Sequence, residues 1–216
     1  MSKPSIPPDG AALPAPENLT LPELREAAAS CKACDLYKTG TQTVFGEGSP
    51  KAKVMMIGEQ PGNSEDLEGK PFVGPAGRLL DKALEQAGID RSKVYVTNVV
   101  KHFKWILVGK RRIHSKPNAR EIAACRPWLE AEIAQVKPKV IVCLGATAAQ
   151  ALLGKNFRVT RQRGEFVPSP LATYVLATVH PSAILRAPDD RAREAEIESL
   201  VADLRKVAEL LREKGW

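Results

Sequence analysis

The chain has 216 residues, 44% of them hydrophobic, which is enough for one substantial domain and too few for two large ones. No stretch approaches the roughly 18–20 apolar residues of a membrane span, and the first twenty residues lack a secretory apolar run, so a soluble cytoplasmic protein is expected. The net charge of +7, from 32 Lys and Arg against 25 Asp and Glu, suits a polyanionic partner without establishing one.

Residues 1–20 carry five of the seventeen prolines and little to bury, and read as a disordered tail ahead of a single domain over residues 21–216. A helix is predicted from Leu21-Pro22-Glu23, with Thr20 as N-cap, and it leads into the pair Cys31-x2-Cys34. Lys53–Gly58 is a short apolar run ending in a Gly- and Pro-rich loop, the pattern of a buried strand before a functional turn. Pro75–Ala87 has helical periodicity and stops at Gly88, and Val94–Val100 is the next strand. A polar, basic segment, Lys101–Asn118, interrupts the pattern. Helix Arg120–Gln135, strand Lys139–Leu144, helix Thr147–Leu153, strand Tyr174–Thr178 and a long charged helix Arg191–Arg212 complete the chain.

Strands alternating with helices point to a three-layer α/β/α sandwich around a short, mostly parallel central sheet. In such sheets ligands sit beyond the carboxyl ends of strands. The segments Gly58–Gly62, Asn98–His102 and His180–Ser182 each follow a strand there. In a reducing compartment the four cysteines are ligands, nucleophiles or core residues rather than disulfides.

The loop G-E-Q-P-G at 58–62, E-D at 65–66, K-P-F-V-G at 70–74, T-N-V-V-K at 97–101, L-G-A-T-A at 144–148 and H-P-S at 180–182 resemble, in order, the motifs of the uracil-DNA glycosylase superfamily. They are most similar to the family-4 branch, which carries an iron–sulfur cluster. Gln60 together with the segment G-K-R-R-I-H-S-K-P at 109–117 resembles the signature of the UdgX-type glycosylases, which remain covalently attached to DNA through a loop histidine.

The resemblance implies residue roles. A side-chain amide offers a donor and an acceptor to O4 and N3–H of uracil, and Asn98 is the implied reader. Phe72 would stack on the base, and His180 would donate to uracil O2 as negative charge grows on the ring. Outside the motif, an Asn at a strand end, a core Phe and a satisfied histidine are the ordinary readings of these residues. His114 would attack the oxocarbenium-like C1′ left behind. A persistent adduct then needs a proton acceptor near the other ring nitrogen, and Glu59 and Gln60 are the candidates, with Gln60 also a contact for uracil. Lys110, Arg111 and Arg112 either hold the loop shape or bind phosphates, and Arg186 is a further phosphate contact.

For the cluster, the family's third cysteine is replaced here by His102 and its fourth matches Cys125, while Cys143 lies in an apolar strand where free cysteine behaves as a small hydrophobe. The expected ligand set is Cys31, Cys34, His102 and Cys125 around a [4Fe–4S] cluster of structural role, with zinc sharing the same ligand list. The expected partner is uracil-containing DNA, single-stranded by preference, bound by a monomer. Two alternatives compete with a covalently trapped glycosylase: a conventional turnover glycosylase whose loop only clamps DNA, and a non-catalytic metal-containing nucleic-acid binding module.

Overall fold

The computed structural model describes residues 19–216, so the proline-rich tail expected over residues 1–20 lies, apart from Leu19 and Thr20, outside the described residues. Helix α1 (Leu21–Ala29) starts as the sequence predicts, with the Thr20 backbone N–H donating to Glu23 Oε2 at 2.8 Å and Pro22 in the first turn. Then follow β1 (Val54–Gly58), α2 (Asn63–Glu68), α3 (Pro75–Ala87) and β2 (Val94–Asn98). After the hairpin β3 (Trp105–Val108) and β4 (Arg111–His114) come α4 (Ala119–Val136), β5 (Val140–Leu144), α5 (Gly145–Leu153) and α6 (Val159–Gln162). The chain closes with β6 (Phe166–Ser169), β7 (Ala172–Thr178), α7 (Pro181–Ile184) and α8 (Asp190–Lys214).

The central sheet has the order β2-β1-β5-β7-β6, with the first four strands parallel and β6 antiparallel at one edge. Every residue of β1, β2 and β5 is buried, because helices cover both faces. Alternation then sorts their side chains between two cores. Met55, Ile57, Tyr95, Ile141 and Cys143 pack with α1, α4 and α5, whereas Val54, Met56, Val96, Val142 and Leu176 pack with α3 and α8. Each fully buried aliphatic side chain here contributes about 1.5–3 kcal/mol. Helix α8 buries one apolar face, through Leu200, Val201, Leu204 and Val207.

The basic segment Lys101–Asn118 is more ordered than its polarity led one to expect. It folds into the β3–β4 hairpin, closed by Gly109-Lys110, and Gly109 takes φ 60 at the first turn position, where glycine carries no Cβ penalty. Because β1, β2, β5 and β7 are parallel, their carboxyl ends share one edge. The Gly58–Gly62, Asn98–His102, Gly145–Thr147 and His180–Ser182 segments all leave from it.

Candidate active site

A cavity of about 420 Å³ opens at this edge, lined among others by Glu59, Phe72, Asn98, His114, His180 and Arg186. The register of β1 and β2 sets Gly58 beside Asn98. A Cβ on Gly58 would stand 2.4 Å from Asn98 Oδ1, 2.8 Å from Phe72 Cζ and 3.3 Å from His180 Nε2. Three side chains from three loops therefore converge over one glycine, and only glycine leaves them that space. Phe72 reaches its place with φ 57, a left-handed conformation that is rare for a bulky side chain. Gly77 permits it, since a Cβ there would come within 1.7 Å of the Phe72 carbonyl oxygen.

His180 is set by its own short helix. Its Nδ1 accepts the Ser182 backbone N–H at 3.0 Å, which puts the ring proton on Nε2, the atom that faces Gly58. Burial holds its pKa down to about 4, aided by the charges of His114 and Arg186 and opposed by Glu59. At neutral pH it is an uncharged N–H donor aimed into the cavity.

His114 ends β4, and its Nε2 lies 3.1 Å from Glu59 Oε1. Thr147 Oγ1, in the first turn of α5, donates to the other carboxylate oxygen. Burial works to raise the Glu59 carboxyl, but the hydrogen bonds from His114 and Thr147 and the nearby imidazoles outweigh it and hold the carboxyl below its usual range. Glu59 is thus an anionic acceptor in contact with the His114 ring.

The expected role of Gln60 on that ring is corrected. Gln60 is 7% exposed, and its Nε2 donates to the carbonyls of Lys104 (3.0 Å) and Ser115 (3.1 Å), while its Oε1 accepts from the Lys104 N–H (3.2 Å). It clamps the two ends of the hairpin, and among the described residues no hydrogen bond joins it to His114. Both amide hydrogens are spent on backbone, which leaves Gln60 one lone pair of Oε1 at the cavity it lines.

Of the two roles open to Arg112, holding the loop shape or binding phosphate, its contacts favour the first. Its guanidinium pairs with the buried Asp66 at 2.7 Å, donates to Asn63 Oδ1 at 2.8 Å, and lies over the rings of Phe103 and Trp105. This holds the hairpin to the body of the protein and occupies Nε and Nη1 of the fork. Lys110 and Arg111 stand exposed at the hairpin tip, and Arg186 lines the cavity.

Sequence reasoning assigned no role to Lys101 or Glu132, which form a buried ion pair with side chains 1% and 0% exposed. Lys101 Nζ also donates to Thr97 Oγ1 at 2.6 Å and to the carbonyl of Asn98 at 2.7 Å, so all three of its protons are used. Glu132 accepts further bonds from Gly46 N–H, Tyr95 Oη and Thr97 Oγ1. Asn98, at the cavity, is therefore held from behind by a charged pair whose hydrogen-bonding groups are all used. The lysine ended a motif, but Glu132 in a charged helix carried no sequence signal.

Beneath this network lie three of the four cysteines. Cys125 Sγ accepts the Lys101 backbone N–H at 3.2 Å, and Cys31 Sγ accepts the Trp128 indole N–H at 3.3 Å. Burial raises the Cys125 thiol to about 12, and the charges of Cys31 and Cys34 reinforce the shift, which puts the three sulfurs in one neighbourhood. His102 is buried, with Nε2 3.0 Å from Thr43 Oγ1. Because Thr43 Oγ1 itself donates to the Ala28 carbonyl, it accepts from His102 Nε2–H and leaves a lone pair on Nδ1. A ligating histidine anchored through its second nitrogen has this arrangement. Among the described residues no three Cys, His, Asp or Glu side chains close on a single ion. Three cysteine sulfurs and an imidazole nitrogen with a lone pair to give are a donor set that suits either an iron–sulfur cluster or a zinc ion. Cys143 lies in the core with its thiol raised by burial to about 12, and belongs to no site.

The chain matches the family model described as "Uracil DNA glycosylase superfamily" over residues 45–205. It is 37% identical to the type-4 uracil-DNA glycosylase of Sulfurisphaera tokodaii, across 88% of this chain and 84% of that protein. It is 36% identical to the type-4 uracil-DNA glycosylase of Thermotoga maritima, across 88% of this chain and 94% of that protein. A type-5 uracil-DNA glycosylase of Thermus thermophilus is more distant, at 29% identity over 64% of this chain and 68% of that protein.

Proposed function

The chain belongs to the uracil DNA glycosylase superfamily, and from that membership we propose that it excises uracil from DNA and then stays joined to the abasic sugar through His114, in the manner of the UdgX-type glycosylases it resembles. The observation that carries this reading is the meeting of two sets of groups in one cavity: Asn98, Phe72 and His180 around Gly58, and the His114–Glu59 pair beside them.

The base, out of its stack, lies against Phe72 with its Watson–Crick edge at the Asn98 amide. As the C1′–N1 bond breaks, its electron pair leaves with the uracil ring. The neutral Nε2–H of His180 stabilises that charge in the transition state more than in the ground state. The sugar is left as an oxocarbenium ion. A lone pair of the His114 imidazole forms the new bond to C1′, giving a positively charged N-glycosyl imidazolium. Such a cation is a fair leaving group. Transfer of its remaining N–H proton to Glu59 makes it a neutral N-alkyl imidazole, which leaves badly, and Thr147 and Gln60 support that step by fixing Glu59 and the hairpin.

Arg186 at the cavity, with Lys110 and Arg111 at the hairpin tip, supplies phosphate contacts, and a single strand reaches the buried Asn98 without the cost of opening a duplex. The protein acts as a monomer. Cys31, Cys34, Cys125 and His102 hold a [4Fe–4S] cluster of structural role, tying α1 and α4 to the segment that leads into the hairpin.

The test is release of free uracil from a single-stranded oligonucleotide. Asn98→Ala and His180→Ala each lower the rate by about 100-fold or more, the usual loss for a group that stabilises developing charge. Binding without any uracil release by the wild-type protein would make it a nucleic-acid binding module instead.

A further inference from the structure

A second cavity, of about 480 Å³, lies between α4 and α5 and shares Lys116 and Thr147 with the first. Its floor is apolar: Val99, the residue after Asn98, with Ile122 and Leu129 on one wall and Ala151 on the other. Its rim is basic. Lys116, Arg126 and Lys155 face a single carboxylate, Glu130, which is bonded to Arg126 Nε at 2.7 Å. Neither Lys116 nor Lys155 is paired with a carboxylate among the described residues. Of its lining, only Thr147, through its bond to Glu59, has a part in the chemistry of the first cavity.

An aliphatic floor with cations at its edge suits a nucleotide: the base covers apolar surface and the phosphate meets the lysines. A uracil seated in the first cavity remains in its strand until the glycosidic bond breaks, so its neighbour lies one phosphodiester step away. The second groove adjoins the first cavity at Lys116 and Thr147, within reach of such a step. We propose that it binds the nucleotide flanking the uracil on one side of a single-stranded substrate, a proposal that rests on reading the first cavity as the uracil site.

The probes are dye-labelled oligonucleotides with one uracil and five thymidines on its 5′ side only or on its 3′ side only. Fluorescence anisotropy gives affinity, and single-turnover uracil release gives rate. Wild type binds one of the two about tenfold more tightly than the other. Lys155→Glu, an exposed charge reversal, and Ala123→Trp, which fills the groove from an exposed position of α4, each abolish that difference without changing the saturating rate of uracil release. Lys155→Glu also lowers the salt slope for the favoured strand by about 0.7, the share of one single-strand phosphate contact. Equal affinity of wild type for both strands, or a difference that survives both variants, overturns the proposal. Variants that weaken only duplex binding overturn the single-strand assignment. Because anisotropy reports the asymmetry even where no uracil is released, failure of the glycosylase reading is told apart from failure of the groove.

Discussion

Glu59 Oε1 and His114 Nε2 stand 3.1 Å apart, one at the end of β1 and the other at the end of a hairpin that is not part of the central sheet. The contact joins the wall of the cavity to the exposed hairpin. If Glu59 takes the ring proton that makes the adduct permanent, then Glu59→Gln still releases uracil but yields an adduct that decays. Loss of the denaturation-resistant band over minutes to hours, followed after quenching with unlabelled abasic DNA, is the expected result. An adduct as durable as wild type would remove Glu59 from that role.

Arg112 holds the hairpin through Asp66, which is wholly buried. Arg112→Ala leaves that carboxylate without its charged partner, at a cost that reaches about 3–5 kcal/mol when such a pair is fully buried, and less here because Arg112 is partly exposed. Adduct formation falls at least tenfold, while uracil release falls less, since Asn98 and His180 do not depend on the hairpin. Parallel time courses of the two products check this.

The buried pair Lys101–Glu132 supports Asn98 rather than touching the base. Glu132→Ala strands a buried ammonium and destabilises the fold by about 3–5 kcal/mol in a denaturant titration. The double variant Lys101→Met/Glu132→Leu recovers part of that stability, because no buried charge remains, but Asn98 loses the donor to its carbonyl. Its KM for the uracil strand therefore stays raised even where the protein is folded.

His180 gives the protein a pH signature. Its folded pKa of about 4 lies below the ordinary imidazole value of 6.5, so between these values the unfolded chain binds more protons than the native one. Stability consequently rises with pH across that window and is lost as pH falls through it. His180→Gln flattens the melting temperature profile between pH 6.5 and 4. A profile as steep as wild type would show that His180 is not buried neutral.

If Cys31, Cys34, His102 and Cys125 hold the proposed cluster, purified protein is expected to be brown, to absorb near 400 nm and to contain iron rather than zinc. Cys125→Ala loses the colour and Cys143→Ala keeps it, because the second cysteine lies in the sheet core. His102→Cys keeps a cluster with altered absorption. A colourless wild type purified without oxygen and holding stoichiometric zinc would contradict the assignment.

The sheet and its helices were legible because their strands are continuous apolar runs and their loops carry Gly and Pro. The helix expected over 75–87 and the strand end at Gly58 stand where the pattern put them; the strand expected over 94–100 stops two residues earlier, at Asn98, and the one ending at Thr178 starts two residues earlier, at Ala172. The hairpin was not legible, since W-I-L-V and R-R-I-H are largely exposed and the contacts that order them come from Gln60, Asn63 and Asp66, distant in sequence. The same distance hid the true partners of Gln60 and Arg112. A side chain that looks free to meet a ligand can be consumed by backbone and buried carboxylate that no local pattern reveals. Short elements such as α6, β6 and α7 lacked the length for periodicity to register.

The most direct test is a denaturing gel of wild type and His114→Ala after incubation with a single-stranded uracil oligonucleotide. Wild type is expected to give a slow, SDS-resistant band approaching one DNA per protein, with free uracil released in equal amount and no further turnover. His114→Ala is expected to give no band. Absence of the band from wild type while uracil accumulates over many turnovers would contradict covalent capture and leave a conventional glycosylase.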